Sequence, residues 1–320
     1  MTKTNFARLA MALVLGLAVL SNAGPAMARQ RLTVLLDWFV NPDHGPLVVA
    51  QERGMFKEAG LDVFLIEPAD PNMPPKLVAA GKAEIAVSYQ PQLHMQAAEG
   101  LPLVRIATLV ATPLNSLVVL GSGPIKTIAD LKGKKIGYSI GGFEDALLGR
   151  MLEKHGLSLK DVELINVNFS LSPSILSGQV DGVIGAFRNF ELNQMDIEGH
   201  PGRAFYPEEE GVPAYDELIL VTNAKLLKEP ALRKFVDVVE AATQFIVNHP
   251  DEAWEIFRAS NPAKLDDELN RRAWRDTVAR FALRPGALDV SRYNRFGAFL
   301  TERGLVKELP KLETYAVELQ

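Results

Sequence analysis

The feature that most constrains this chain is a regular alternation, from Arg31 to Thr222, of short apolar runs and helical stretches. Arg31–Leu36, Leu61–Ile66, Glu84–Ser88 and Leu103–Leu109 read as strands. The stretches Leu47–Glu58, Pro75–Ala80 and Gln92–Glu99 read as the helices between them. The pattern then repeats. Ser116–Leu120, Lys134–Tyr138, Val162–Asn166 and Val180–Ala186 are predicted strands, and Ile128–Lys132, Glu144–His155 and Pro173–Ser177 predicted helices. Strands that alternate with helices predict an α/β fold built of parallel βαβ units. Tyr215–Thr222 reads as a strand returning to the first block. From Pro230 to Glu318 the chain reads as nearly all helical, with stops at Pro250, Pro262 and Pro285.

Two similar blocks and a helical tail predict two βαβ lobes joined by two hinge crossings, near Thr112–Ser116 and Ala214–Leu218. Lobe I would comprise 29–113 and 219–320, and lobe II 116–215. At 320 residues the chain is long enough to give each lobe its own core.

The first residues point to export. Lys3 and Arg8 precede an apolar run, Leu9–Leu20. A polar break at Ser21-Asn22 follows, and then Ala26-Met27-Ala28. This is the pattern of a cleavable signal peptide over 1–28. The run is too short for a span of roughly 20 residues, so the expected location is the periplasm, free of the membrane. With no cysteine, the chain has no thiolate metal site, Cys nucleophile or lipid-anchoring Cys. A net charge of −5 gives no basic excess for nucleic acid. Phosphate-loop, HExxH and G-x-S-x-G motifs are absent, so neither a metal nor a cofactor is expected and no catalytic residue is assigned.

In open α/β sheets, ligands bind beyond the carboxyl ends of strands, where helix N-termini begin. That rule selects four loops: Asp37–Pro46, Ser88–Gln92, Gly141–Glu144 and Phe187–Glu191. Trp38 offers a stacking face or plugs the end of a sheet. Asp37 and Glu191 accept from an amine or serve as caps. Tyr89 stacks, donates its hydroxyl or packs on the lobe floor. Asn41 and His44 contact ligand or shape their loop. Arg188 and Asn189 reach the cleft, unless Arg188 pairs with a surface acid. Gly141 and Gly142 admit a ligand to the backbone or simply turn the chain. Together these groups suit a planar, nitrogen-rich ligand. The run Glu208–Glu210 reads as a solvated loop, and Trp254 and Trp274 read as core.

The stretch Leu35-Leu36-Asp37-Trp38-x-x-Asn41-x-x-His44 is followed by Ala50-Gln51-x-x-Gly54-x-Phe56-Lys57-Glu58-x-Gly60-Leu61-Asp62. With Leu77–Glu84, Leu131–Tyr138 and Asp181–Asn193, it resembles the family that joins thiamin-pyrimidine-binding proteins of bacterial ABC importers to the fungal thiamin-pyrimidine synthases. The resemblance runs from about Leu32 to about Asp251. Its G-x-F-K-E-x-G-L and LKGKK blocks are shared with sulfonate and nitrate binders.

The resemblance implies a bilobed, type II periplasmic-binding-protein fold that closes on formylaminopyrimidine or hydroxymethylpyrimidine and passes it to an inner-membrane permease. It implies Asp37, Trp38, Tyr89 and Glu191 as ligand contacts, and a binding protein that works as a monomer. Riboflavin and an aliphatic sulfonate or nitrate stand as alternative ligands, though Asp37 opposes an anion. The synthases carry a lysine that holds pyridoxal phosphate and a histidine that is consumed. Those positions fall at Ser88 and Gln92 here, and the family's Cys cluster is missing, so an enzyme is not expected.

Overall fold

The computed structural model describes residues 29–320. The expected signal peptide lies outside the described residues. Among the described residues, ten strands form two five-stranded sheets. The first holds β1 (Gln30–Leu35), β2 (Leu61–Ile66), β3 (Ile85–Ser88), β4 (Leu103–Val110) and β10 (Leu218–Asn223), in the order β2-β1-β3-β10-β4. The second holds β5 (Asn115–Leu120), β6 (Lys135–Tyr138), β7 (Glu163–Asn166), β8 (Gly182–Phe187) and β9 (Gly202–Phe205), in the order β7-β6-β8-β5-β9.

The chain passes between the sheets twice, from β4 to β5 and from β9 to β10. Neither sheet is purely parallel, which corrects the sequence expectation. β1 runs parallel to β2 and β3, and β6 to β7 and β8. β10 and β5 each pair antiparallel with both neighbours. These two are the strands that have just crossed from the other lobe, so they enter their sheets from the opposite end.

Around the first sheet lie α1 (Gly45–Glu52), α2 (Met55–Glu58), α3 (Pro74–Ala79) and α4 (Gln90–Ala98). The single helix predicted over Leu47–Glu58 is two, because Gly54 takes φ 71°, a left-handed turn that ends the first. The second lobe carries α5 (Phe143–Lys154), α6 (Leu171–Leu176) and α7 (Glu191–Ile197). The tail holds α8 (Pro230–Asn248), α9 (Pro250–Ser260), α10 (Pro262–Leu265), α11 (Glu268–Val278) and α12 (Val290–Glu302). Here the prolines open helices rather than merely stopping them: Pro230, Pro250 and Pro262 are each the first helical residue. A ring that lacks N–H costs nothing at that position. Beyond Glu302 the chain is irregular apart from a short 3-10 turn, so the helical tail ends earlier than predicted.

The core follows from strand burial. Every residue of β3, β4 and β10 is buried, whereas β2 is an edge strand with Phe64 and Ile66 exposed. Leu32 and Val34 of β1 share one apolar cluster with residues of helices α1, α8 and α9 and with Trp274, and Trp254 packs against it. Charge is buried here too. Arg105 on β4 is fully enclosed, and its guanidinium donates to the carbonyls of Pro285 (2.9 Å), Gly286 (3.1 Å) and Val317 (3.3 Å) and to Thr108 Oγ1 (2.8 Å). The tail continues this staple through backbone bonds from Arg105 to Tyr315 and from Val317 to Arg105. Arg105→Met should strand these acceptors and lower unfolding stability by on the order of 3 kcal/mol. Urea titration checks this; an unchanged midpoint would show the staple to be dispensable.

Candidate functional site

The parallel strands of both sheets end facing one another, and the loops after them enclose a cavity between the lobes. Including its mouth, it encloses about 450 Å³. Lobe I contributes Asp37, Trp38, Asn41, Asp43, Tyr89 and Leu218. Lobe II contributes Ser139, Ile140, Glu144, Leu171, Gly185, Phe187, Phe190 and Glu191. Among the described residues, every ionisable carboxyl or basic side chain on this wall is an acid, and no Lys, Arg or His lines it.

Asp37 follows β1 and is held from two sides. The Tyr89 hydroxyl donates to Oδ2 at 2.7 Å, and His44 Nε2 bonds Oδ1 at 2.8 Å. The Asn41 amide donates to His44 Nδ1 at 3.3 Å, so the proton sits on Nε2 and points at Asp37. Burial, with Asp37 beside it, pushes the Tyr89 phenol well above its usual range, so it remains a donor. Its ring stacks on Phe143 of lobe II, with centroids 5.1 Å apart.

Glu144 in the first turn of α5 accepts the amides of Ser139 (2.8 Å) and Ile140 (3.1 Å) on Oε2. Among the described residues, no donor reaches its Oε1. That carboxylate lies over Gly185, which takes φ 100°. A Cβ there would stand 2.5 Å from Glu144 Oε1, so only glycine leaves room. Glu191 accepts the Phe187 amide at 2.6 Å. Burial raises Glu144 to about 8, Glu191 to about 7 and Asp43 to about 6.

Trp38 meets Phe169 of lobe II edge-on at 4.7 Å, and Phe39 lies within 4.7 Å of the same ring. The three rings form an aromatic lip across the cleft. The lobes are further tied by Asn72, which donates to the Ser139 carbonyl and accepts from the Gly141 amide.

Of the ten sequence-selected residues, Asp37, Trp38, Asn41, Tyr89 and Glu191 line the cavity, and five do not. His44 is fully buried behind Asp37 and orients it. Gly141 is engaged with Asn72, and Gly142 takes φ 96° to begin α5. Arg188 turns away to the hinge, where its guanidinium grips Glu208 (2.6 and 3.0 Å) and the Leu114 and Asn115 carbonyls. Asn189 bonds Asp43 and Thr277 rather than facing open space. The acidic run is correspondingly not a free loop, because Glu208 pairs with Arg188 and Glu210 with Lys154 and His155.

Asp43, Glu144, Phe187 and Phe190 lie inside the selected loops, but an acid in a helix's first turn reads as a cap. Gly185 and Leu218 sit within strands, where no local signal separates a cavity wall from core.

This interlobe arrangement is that of periplasmic binding proteins. The alkanesulfonate-binding protein SsuA of Xanthomonas axonopodis pv. citri superposes with a TM-score of 0.68 at 18% identity, over 92% of this chain and 98% of that one. The Candida albicans CA3427 gene product, described as having the generic periplasmic binding protein fold, gives a TM-score of 0.70 at 21% identity, over 91% and 97%. The NMT1/THI5 like family model matches residues 41–253, and the chain belongs to that family. A Haemophilus influenzae protein named for thiamine biosynthesis is 53% identical, over 92% of this chain and 94% of its own. The formylaminopyrimidine-binding protein of Halalkalibacterium halodurans is 36% identical over 72% and 70%. A 4-amino-5-hydroxymethyl-2-methylpyrimidine phosphate synthase of Saccharomyces cerevisiae is 26% identical over 80% and 78%.

The buried acids make ligand-free stability depend on pH. Glu144 keeps its proton in the folded state up to about 8, but loses it above 4.5 when unfolded. Folding stability should therefore fall as pH rises from 4.5 to 8, by up to about 1.4 kcal/mol per unit for this group. Glu191 and Asp43 act in the same sense over narrower windows. Glu144→Gln should raise Tm at pH 8 and flatten the decline. Melting curves from pH 5 to pH 8 that run parallel for both proteins would contradict this.

Proposed function

We propose that the chain is an exported solute-binding protein that captures an aminopyrimidine of thiamin biosynthesis, formylaminopyrimidine or hydroxymethylpyrimidine, between its lobes. The observation that carries this reading is the acid-lined, cation-free cavity between two lobes of the binding-protein fold. Carboxylates bind amine and protonated ring donors strongly, and burial removes the competing water. A sulfonate or nitrate would meet the Asp37 and Asp43 carboxylates with no Lys or Arg on the wall to balance them. The 36% identity to a formylaminopyrimidine-binding protein supports the same ligand class.

In this reading Trp38 covers the ring from the lip, and the acids on both lobes hold its amino edge. Closure then buries the ligand and completes the surface that an ABC permease of the inner membrane receives. The product would serve thiamin salvage from the periplasm, with the segment 1–28 directing export. A binding role is favoured over synthase chemistry at the position where the fungal enzymes carry their lysine. By the resemblance that position falls at Ser88, whose hydroxyl donates to Gln92 at 3.0 Å and offers no amine for an imine.

Calorimetry on residues 29–320 with formylaminopyrimidine, hydroxymethylpyrimidine, thiamin, riboflavin and taurine tests the proposal. Submicromolar binding of a pyrimidine is expected, with no heat from taurine. Tight taurine or riboflavin binding without pyrimidine heat would overturn it. Trp38→Ala should weaken pyrimidine binding by roughly 1–3 kcal/mol. Unchanged affinity would assign Trp38 to packing against Phe169 alone.

A further inference from the structure

We propose that Asp43 is a positioning residue that couples occupation of the cavity to closure of the lobes. One of its carboxylate oxygens takes a ligand donor while the other holds lobe II and the C-terminal helix α11 in place. The inference rests on the binding reading above, since it needs a ligand in the interlobe cavity.

Asp43 lies in the 3-10 turn Pro42–His44, whose first amides are capped by Asn41. It is 1% exposed yet belongs to the cavity wall. Its Oδ1 accepts from Asn189 Nδ2 at 2.7 Å. The second Asn189 hydrogen goes to Thr277 Oγ1, also at 2.7 Å. Thr277 stands 3.1 Å from the same carboxylate oxygen and belongs to α11, while Asn189 belongs to the loop after β8. One carboxylate therefore joins three chain segments: the loop after the first strand, lobe II and the tail.

All three side chains are almost fully enclosed. A buried, charge-assisted bond of this kind is worth more than exposed polar contacts on the rim of the same interface. Those rim contacts, Arg272 with Asp196 and Asn193 with Asp276, are solvent-exposed.

The second oxygen distinguishes Asp43 from a purely structural clamp. Asp43 Oδ2 is buried and has no hydrogen-bond partner among the described residues. A desolvated carboxylate oxygen without a donor is unfavourable. An amine or ring N–H in the cavity would satisfy it. It would also keep Asp43 ionised, which strengthens the Oδ1 bond to Asn189. The ligand thus stabilises the closed arrangement through Asp43, beyond its own contacts with lobe II.

The test separates this coupling from ligand identity. The chain has no cysteine, so single cysteines at exposed Lys57 and Lys160 can carry spin labels that report the interlobe distance. Asn189→Ala removes the strap and leaves the Asp43 side chain on the cavity wall. With whichever compound of the panel binds, its dissociation rate should rise roughly tenfold to a hundredfold, with the association rate within about threefold. The ligand-bound label distance should be longer than in the parent protein. Thr277→Val should shift both readouts the same way, but less. Wild-type dissociation together with wild-type distance in both variants would overturn the coupling, whatever ligand is bound. If the parent binds only riboflavin or taurine, the proposed function fails and the coupling is still judged with that compound. If nothing binds, ligand-free distances decide it: an identical distribution in parent and Asn189→Ala overturns the strap, and a wider one in the variant supports it.

Discussion

Everything about this cleft turns on carboxylates that two lobes bury together without a matching cation. Asp37, Asp43 and Glu191 each hold at least one donor from the protein, and Glu144 holds two backbone amides. None is neutralised by a basic side chain on the wall. A desolvated space lined by acids and no base favours a guest that brings hydrogen-bond donors and offers an anion no cation. The cost of enclosing the acids appears as their raised affinity for protons, greatest at Glu144.

The scaffold places these groups by simple rules. Parallel strands deliver their carboxyl ends to the interface, so Asp37 follows β1, Tyr89 follows β3 and Ser139 follows β6, while Glu191 opens the helix after β8. The crossings are secured by a further buried acid, Glu217. Glu217 accepts the amides of Leu114 and Asn115 at 2.6 and 2.9 Å, and the Asn115 side chain in turn accepts the Gly185 amide at 3.1 Å. The strand that carries Gly185 under Glu144 is thus tied directly to one crossing. Arg188 and Glu208 brace the same region, which explains why an arginine beside the cavity loops does not enter the cavity.

Much of this was legible in the sequence because the βαβ alternation is a local signal. The strand-end rule then led to loops that contribute to the wall of the interlobe cavity. Strand direction was not legible, since β5 and β10 have the same composition in either orientation and only the crossings determine it. The edge strand β9, Gly202–Phe205, is four residues long and lacks an apolar run, and α7 is only seven residues. Both went unread for that reason. Within the selected loops, residue type alone did not tell ligand wall from support. His44 and Asn41 share one turn, yet the first is sealed behind Asp37 and the second reaches the cavity. That difference depends on where the folded turn puts each side chain, His44 against Asp37 Oδ1 and Asn41 on the cavity wall.

The most direct measurement is a crystal structure of residues 29–320 grown with formylaminopyrimidine. The expected result is a ring lying between the lobes, with its exocyclic amine about 3 Å from carboxylate oxygens contributed by both sheets' loops. A pyrimidine found outside the cleft, or inside it with its amino edge turned from every one of these acids, would contradict it.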